Sequence, residues 1–221
     1  MTDYGITPVA SPRSIREHVE RALSAVIVSG ELAEGTLVSV PTLAAQFDVS
    51  ATPVREAILE LERRGFVEAV KNKGFRVTEV SDDGLRQIVE LRQLLEPPAM
   101  EELARRFPAE RMPELIAGAE QIIAGAARGD LRAYLEADRA FHLELTALLG
   151  NPLLVEIVAD LRSRTRMVGL AELLESRQLT ESAAEHVELL RLLESGDAKG
   201  ARLLMQQHIH HALGWWSGHP E

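Results

Sequence analysis

The 221-residue sequence predicts a mostly α-helical protein in two parts, and three observations carry that prediction. Leu, Ala, Glu and Arg are abundant while aromatics make up only 4%, the balance of a helical chain. Apolar residues recur at helical spacing along most of the length, with one interruption between residues 66 and 80 that reads as a hairpin. Charge divides the same way: residues 1–80 hold 9 Lys+Arg against 11 Asp+Glu, a net of −2, and residues 81–221 hold 15 against 23, a net of −8. With 46% apolar residues the chain has material for two modest cores. Its lack of cysteine excludes disulfides and thiolate metal sites, so any metal would need His and carboxylate ligands. No apolar run is long enough to cross a bilayer and the N-terminus has no signal-like core, so a cytoplasmic chain is expected.

Residues 1–13 form a polar tail. Ile15, Val19, Ala22, Leu23, Val26 and Ile27 then follow helical spacing up to Gly30. GELAEGTLVSV is turn-rich, residues 42–47 (TLAAQF) make a brief helix, and Asp48-Val49 is a tight turn. Ser50 is a suitable N-cap for the next helix, Glu56 lies near the positive end of its dipole, and Val54, Ala57, Ile58 and Leu61 share a face before Gly65. Phe66, Val70, Phe75, Val77 and Val80 flank the turn KNKG, giving a hairpin with a basic tip. Three helices followed by such a hairpin is the plan of a winged helix-turn-helix over residues 14–80, with SDDG (81–84) as linker.

Everything from residue 85 to 221 reads as an all-α bundle of six or seven helices: 85–107, with Pro97-Pro98 expected to kink or split it, then 112–127, 131–149, 153 to about 174, 181–194 and 198–216.

Two constellations carry chemistry. In a helix-turn-helix the second helix enters the major groove N-terminus first, so its leading residues Ser50, Thr52, Pro53 and Arg55 are the candidates for contact. Ser50 and Thr52 can donate to phosphates beside the free backbone N–H groups, and Arg55 can offer a bidentate fork to guanine. Lys71, Lys73 and Arg76 on the wing would follow the neighbouring backbone. Local field rather than net charge would have to favour double-stranded DNA. In the second half, Asp138 and His142 stand at i and i+4 on one helix, and His186 and His208 follow on later helices. These four would suit a divalent ion, zinc first, with nickel or another borderline ion as substitutes. On spacing alone the pair also suits a surface hydrogen bond, and HIHH a solvated helix end. His210 and His211 compete with His208 for the assignment.

The run from Gly30 to Val80 resembles the DNA-binding domain of GntR-family transcriptional regulators, above all in S-x-T-P-V-R-E-A (Ser50 to Ala57) and in the Gly-Phe-Val and Gly-Phe-x-Val pieces between Leu61 and Val77. The second half resembles the FCD ligand-binding domain of the FadR-type subfamily through Asp138-Arg139-Ala140-Phe141-His142, Gly150-Asn151, Glu185-His186 and His208-Ile209. The resemblance implies a homodimer reading a palindromic operator, with the recognition-helix N-termini and the wing glycine, Gly74, against DNA. It also implies a metal in the bundle held by Asp138, His142, His186 and His208, with a small carboxylate or hydroxy acid bound over it. Arg92 and Asn151 are candidates for contact with that acid. The sequence departs from the family pattern at Ala51, where many members have Arg, and at Pro41 or Thr42, where many have a basic residue.

The expected function is an acid-controlled transcriptional regulator, with a repressor as the leading form. One alternative is a regulator for which the ion is the signal, and a second is a metal-dependent hydrolase. Against the hydrolase stand the lack of a general-base motif such as H-E-x-x-H and the complete winged domain.

Overall fold

The protein is described from a computed structural model covering residues 15–79, 81–165 and 178–213. The chain begins with α1 (Ile15–Val28), β1 (Leu37–Val38), α2 (Val40–Phe47), α3 (Ala51–Arg63), β2 (Val67–Val70) and β3 (Gly74–Val77). Val19, Leu23 and Ile27 on α1 pack with Val54, Ala57, Ile58 and Leu61 on α3, and Phe66 and Val77 close the cluster beneath the sheet. These apolar positions fall one helical turn apart, so a single stripe on each helix is removed from water.

The sheet is antiparallel in the order β1-β3-β2. Its first strand was not expected from GELAEGTLVSV: two residues are too few to show alternation, and only pairing with β3 (Leu37 with Arg76, Val38 with Phe75) defines it. That pairing explains Gly74. Its φ is +112°, and a Cβ there would lie well inside van der Waals contact with the Val38 carbonyl oxygen. Helix α2 starts two residues earlier than expected, because Ser39 caps it by accepting from the Thr42 N–H (3.2 Å) and Pro41 falls in its first turn, where it has no bond to lose. Ser50 precedes α3 in extended conformation but makes no side-chain cap bond.

The second domain contributes α4 (Asp82–Ala104), a short 3-10 turn (Ala109–Arg111), α5 (Met112–Arg128), α6 (Leu131–Ala147), α7 (Pro152–Arg164), α8 (Gln178–Glu194) and α9 (Ala198–His210). That makes six α-helices among the described residues; the parts of the expected helices beyond Thr165 and Leu213 lie outside them. Two expectations at α4 are corrected. The four residues taken as a linker belong to the helix start: Ser81 caps it by accepting from the Gly84 N–H at 3.1 Å. Helix α4 also continues through Pro97 and Pro98 instead of splitting. Burial outweighs the two missing N–H donors there. Pro97 is itself buried next to Ala99, Met100 and Leu103, α4 packs along α9, and Gln93 Nε2 ties the two by donating to the Gln206 carbonyl at 2.7 Å.

Helices α5 and α6 approach closely because Gly125 faces Tyr134, where a Cβ would come within 2.7 Å of the backbone nitrogen. On α6 the buried residues are Tyr134, Ala137, Asp138, Phe141, His142, Leu145 and Thr146, one continuous stripe. Asp138 and His142 therefore lie on the face that the core requires to be buried, and most of their side-chain partners come from the neighbouring helices.

Candidate metal centre and nucleic-acid interface

Helix α6 delivers Asp138 and His142, α8 delivers His186 and α9 delivers His208 to one buried point. His142 Nε2 lies 3.1 Å from His186 Nε2 and 3.2 Å from His208 Nε2, while Asp138 Oδ1 lies 3.0 Å from His186 Nε2, 3.5 Å from His142 Nε2 and 3.8 Å from His208 Nε2. The outward nitrogens settle which way the rings present their lone pairs. His186 Nδ1 is 3.2 Å from the Ala183 carbonyl oxygen, which can only accept, so Nδ1 carries the proton. His208 Nδ1 is 2.8 Å from Glu185 Oε2 and donates to it in the same way. When neutral, rings so held aim Nε2 lone pairs inward, at each other and at a carboxylate oxygen. A single proton on His142 Nε2 cannot satisfy all of these contacts, whereas a cation among them does. Ligand bonds of 2.0–2.1 Å in tetrahedral geometry imply donor separations of roughly 3.3 Å, within the 3.0–3.8 Å range of the distances above. The donor set fits a divalent ion, and the outward bonds are those that orient imidazole ligands.

The second carboxylate oxygen of Asp138 is also committed. Arg162 on α7 donates to Asp138 Oδ2 through Nη1 (3.0 Å) and to Glu96 Oε2 through Nε and Nη2 (2.9 and 2.6 Å). Arg92 Nε donates to Glu96 Oε1 at 2.6 Å and its Nη1 to Thr165 Oγ1 at 3.3 Å. All four charged side chains are at most 8% exposed. Burial alone would raise the Glu96 pKa, but the Arg162 and Arg92 charges and the Arg92 hydrogen bond outweigh it and lower it to about 2. Burial likewise opposes ionisation of Asp138, and the surrounding imidazoles hold its carboxyl well below the usual carboxylate range. Burial, with Arg162 adding to it, pushes His142 down; burial also pushes His186 down. His208 is raised despite its burial, because Asp138 and Glu185 favour the charged ring.

The structure places the remaining sequence candidates as follows. His210 is exposed, and the His211 ring approaches Glu185 Oε2 at 3.5 Å instead of joining the four donors. Arg92 is buried and reaches Asp138 only through Glu96 and Arg162. Asn151 is exposed and caps α7 by accepting from the Leu154 N–H at 3.2 Å, so its local role is structural. Sequence reasoning missed Glu96 and Arg162. A charged residue gives no periodic signal of its own, although Glu96 stands one turn from Arg92 and could have been paired with it.

On the opposite domain, Ser50, Ala51, Thr52 and Arg55 are exposed at the start of α3, with Pro53 half-buried. Lys71 and Lys73 are exposed at the wing tip, where the Lys73 N–H closes a turn onto the Val70 carbonyl (2.9 Å) and Asn72 takes φ +62°. Among the described residues the side chains of Arg55, Lys71 and Lys73 make no hydrogen bond or ion pair. Arg76 is exposed and pairs with Glu68 at 3.4 Å.

Comparison with known proteins decides the family. Residues 15–77 match the model of the bacterial regulatory proteins of the gntR family, and residues 87–211, more than half of the chain, match the FCD domain. The chain belongs to the GntR family, with an FCD domain. Among its curated relatives are the HTH-type transcriptional regulator McbR of Escherichia coli K12, 28% identical over 89% of this chain and 91% of its own length, and an HTH-type regulator in an unstable DNA locus of Streptomyces ambofaciens, 29% identical over 89% and 83%. A third is the probable D-xylose utilization operon repressor of Paenarthrobacter nicotinovorans, 28% identical over 83% and 80%. The solved structure of McbR matches 90% of this chain and 95% of its own with a TM-score of 0.79 at 27% identity. This GntR-family chain is thus a DNA-binding transcriptional regulator and not an enzyme.

Proposed function

We propose that this regulator binds a palindromic operator as a homodimer and that a small carboxylate or hydroxy acid, bound at a divalent ion held by Asp138, His142, His186 and His208, sets its operator affinity. The observation that carries the reading is the convergence of three imidazole Nε2 atoms and one carboxylate oxygen, with two outward Nδ1 protons already committed. The ion, when bound, supplies a positive centre with open positions for an anion. The chain's own residues do the rest: Arg162 fixes Asp138, and the two arginines together offset the Glu96 and Asp138 carboxylates, so the group of four is internally neutral and leaves the ion's charge for the ligand. Zinc suits the nitrogen-rich set best, with nickel as the next choice.

Ser50, Thr52, Pro53 and Arg55 at the start of α3, with Lys71, Lys73 and Gly74 on the wing, form the proposed DNA face. The exposed start of α3 and the unpaired state of its Arg support it. Dimerisation is supported by exposed Leu91 and Leu94 on α4 and Leu153 and Ile157 on α7, two helices that pack together. No helix among the described residues is long and apolar enough to cross a membrane. A cytoplasmic location and repression of the target are part of the same proposal.

One observation favours the ion itself as signal. Among the described residues the cleft beside the cluster, lined by Leu189, Leu204 and Met205 with the ligands, is too narrow for a water molecule, so an acid must displace side chains to reach the ion. A thermal-shift screen of small carboxylic and hydroxy acids on zinc-loaded protein, followed by operator titration with any hit, tests the reading. Acid-dependent affinity supports it, and affinity that follows zinc alone with every acid inert supports the ion as signal.

A further inference from the structure

The last turns of α7 present side chains to two different domains. Arg162 and Thr165 face the bundle, where they hold Asp138, Glu96 and Arg92. Asp160 and Ser163 face Arg64, the residue that closes α3. Arg64 Nε donates to Asp160 Oδ1 at 3.1 Å, its Nη2 donates to Ser163 Oγ, and its Nη1 donates to Glu20 Oε1 on α1 at 2.9 Å. The Ser163 hydroxyl gives its own proton to the Asp160 carbonyl at 2.6 Å, which leaves its lone pairs for Arg64. The guanidinium carbon also lies 5.1 Å from the centroid of the Phe66 ring, next to the wing. One planar fork therefore ties α1, the end of α3 and α7 together.

A second ion pair between the domains among the described residues, Arg132 with Glu31 at 2.7 Å, involves side chains 49% and 52% exposed, and water screens such pairs to little value. The Arg64 side chain is 15% exposed and serves three acceptors, so it is the stronger tie. Arg162 and Ser163 are sequence neighbours in one helical turn. A displacement of α7 that follows a change at Asp138 or Glu96 therefore moves the Arg64 acceptors with no slack between them.

We infer that Arg64, Asp160 and Ser163 are positioning residues for operator recognition, coupling occupancy of the metal cluster to the placement of α3. The inference rests on the metal reading proposed above. It is tested by amide hydrogen exchange on the full chain with and without zinc(II), in wild type and in the Asp160→Asn/Ser163→Ala variant, which leaves Arg64 and Glu20 intact. Zinc should slow exchange around residues 138–142, 186 and 208 in both proteins. In wild type it should also slow residues 61–70 by roughly tenfold, and in the variant by less than about twofold, as expected for a coupling of ordinary size. A clasp that merely held the domains together would change exchange at residues 61–70 equally with and without zinc. An undiminished zinc response at residues 61–70 in the variant, or none there in a wild type protected at its ligands, overturns the inference. No protection at the ligands in wild type removes the metal reading, and the coupling falls with it.

Discussion

The two halves of this regulator treat charge in opposite ways. At the start of α3 and on the wing, Arg55, Lys71 and Lys73 stand in solvent without protein partners. In the bundle, Arg92, Glu96, Asp138 and Arg162 are almost wholly buried, and each is held by another. The difference teaches that the net charge of −10 says little about either site. An exposed cation kept unpaired is free to meet a phosphate or a base edge at small cost to the fold. A buried one is part of the fold, and removing it leaves its partners uncompensated.

The sharpest way to break the contrast is Arg162→Met. It leaves the buried Asp138 without an arginine and Glu96 with Arg92 alone, so denaturant melts should show a loss of about 3–5 kcal/mol, against changes of within about 0.5 kcal/mol for an exposed Arg. A loss no larger than that of the exposed site would mean that the bundle tolerates unpaired charge.

Acid should separate the halves next. Glu96 is lowered from 4.5 to about 2, so the stability contributed by its ionised form is complete above about pH 4.5 and is lost as pH falls toward 2. That loss is on the order of 3 kcal/mol. Urea midpoints followed from pH 6 to pH 3 should fall more steeply for wild type than for Glu96→Gln; parallel curves would deny Glu96 this role.

On the other side, Arg55→Ala should weaken operator binding by roughly 10- to 100-fold, corresponding to about 1–3 kcal/mol. Its melting behaviour should be unchanged, and a gel shift equal to wild type at physiological salt would remove Arg55 from the interface. The smallest effect is expected at Lys73→Ala, which should weaken binding to all sequences alike and reduce the salt slope by about one. A base-selective loss would mean that Lys73 reads sequence instead of tracking phosphate.

The contrast also explains what could be read from the sequence. The helical stripes of α1, α3 and α6 follow from apolar spacing, and that of α6 carries Asp138 and His142 inward with it. On α9 the buried positions Ala201, Met205, His208 and Ile209 form one face, so the same periodicity could have chosen His208 over His210. The continuity of α4 through Pro97-Pro98 was not legible, because local propensity argues for a break and only packing against α9 overrides it. The strand β1 and the Arg162–Glu96 pairing depend on residues far away in the chain, which no local pattern encodes.

Metal content is the most direct measure of the account's central claim. Elemental analysis of zinc-loaded, desalted protein should find about one ion per chain in wild type and well below one in His186→Ala, since loss of one of few ligands weakens a buried site severely. A wild type without metal, or a His186→Ala variant with its metal undiminished, would contradict it.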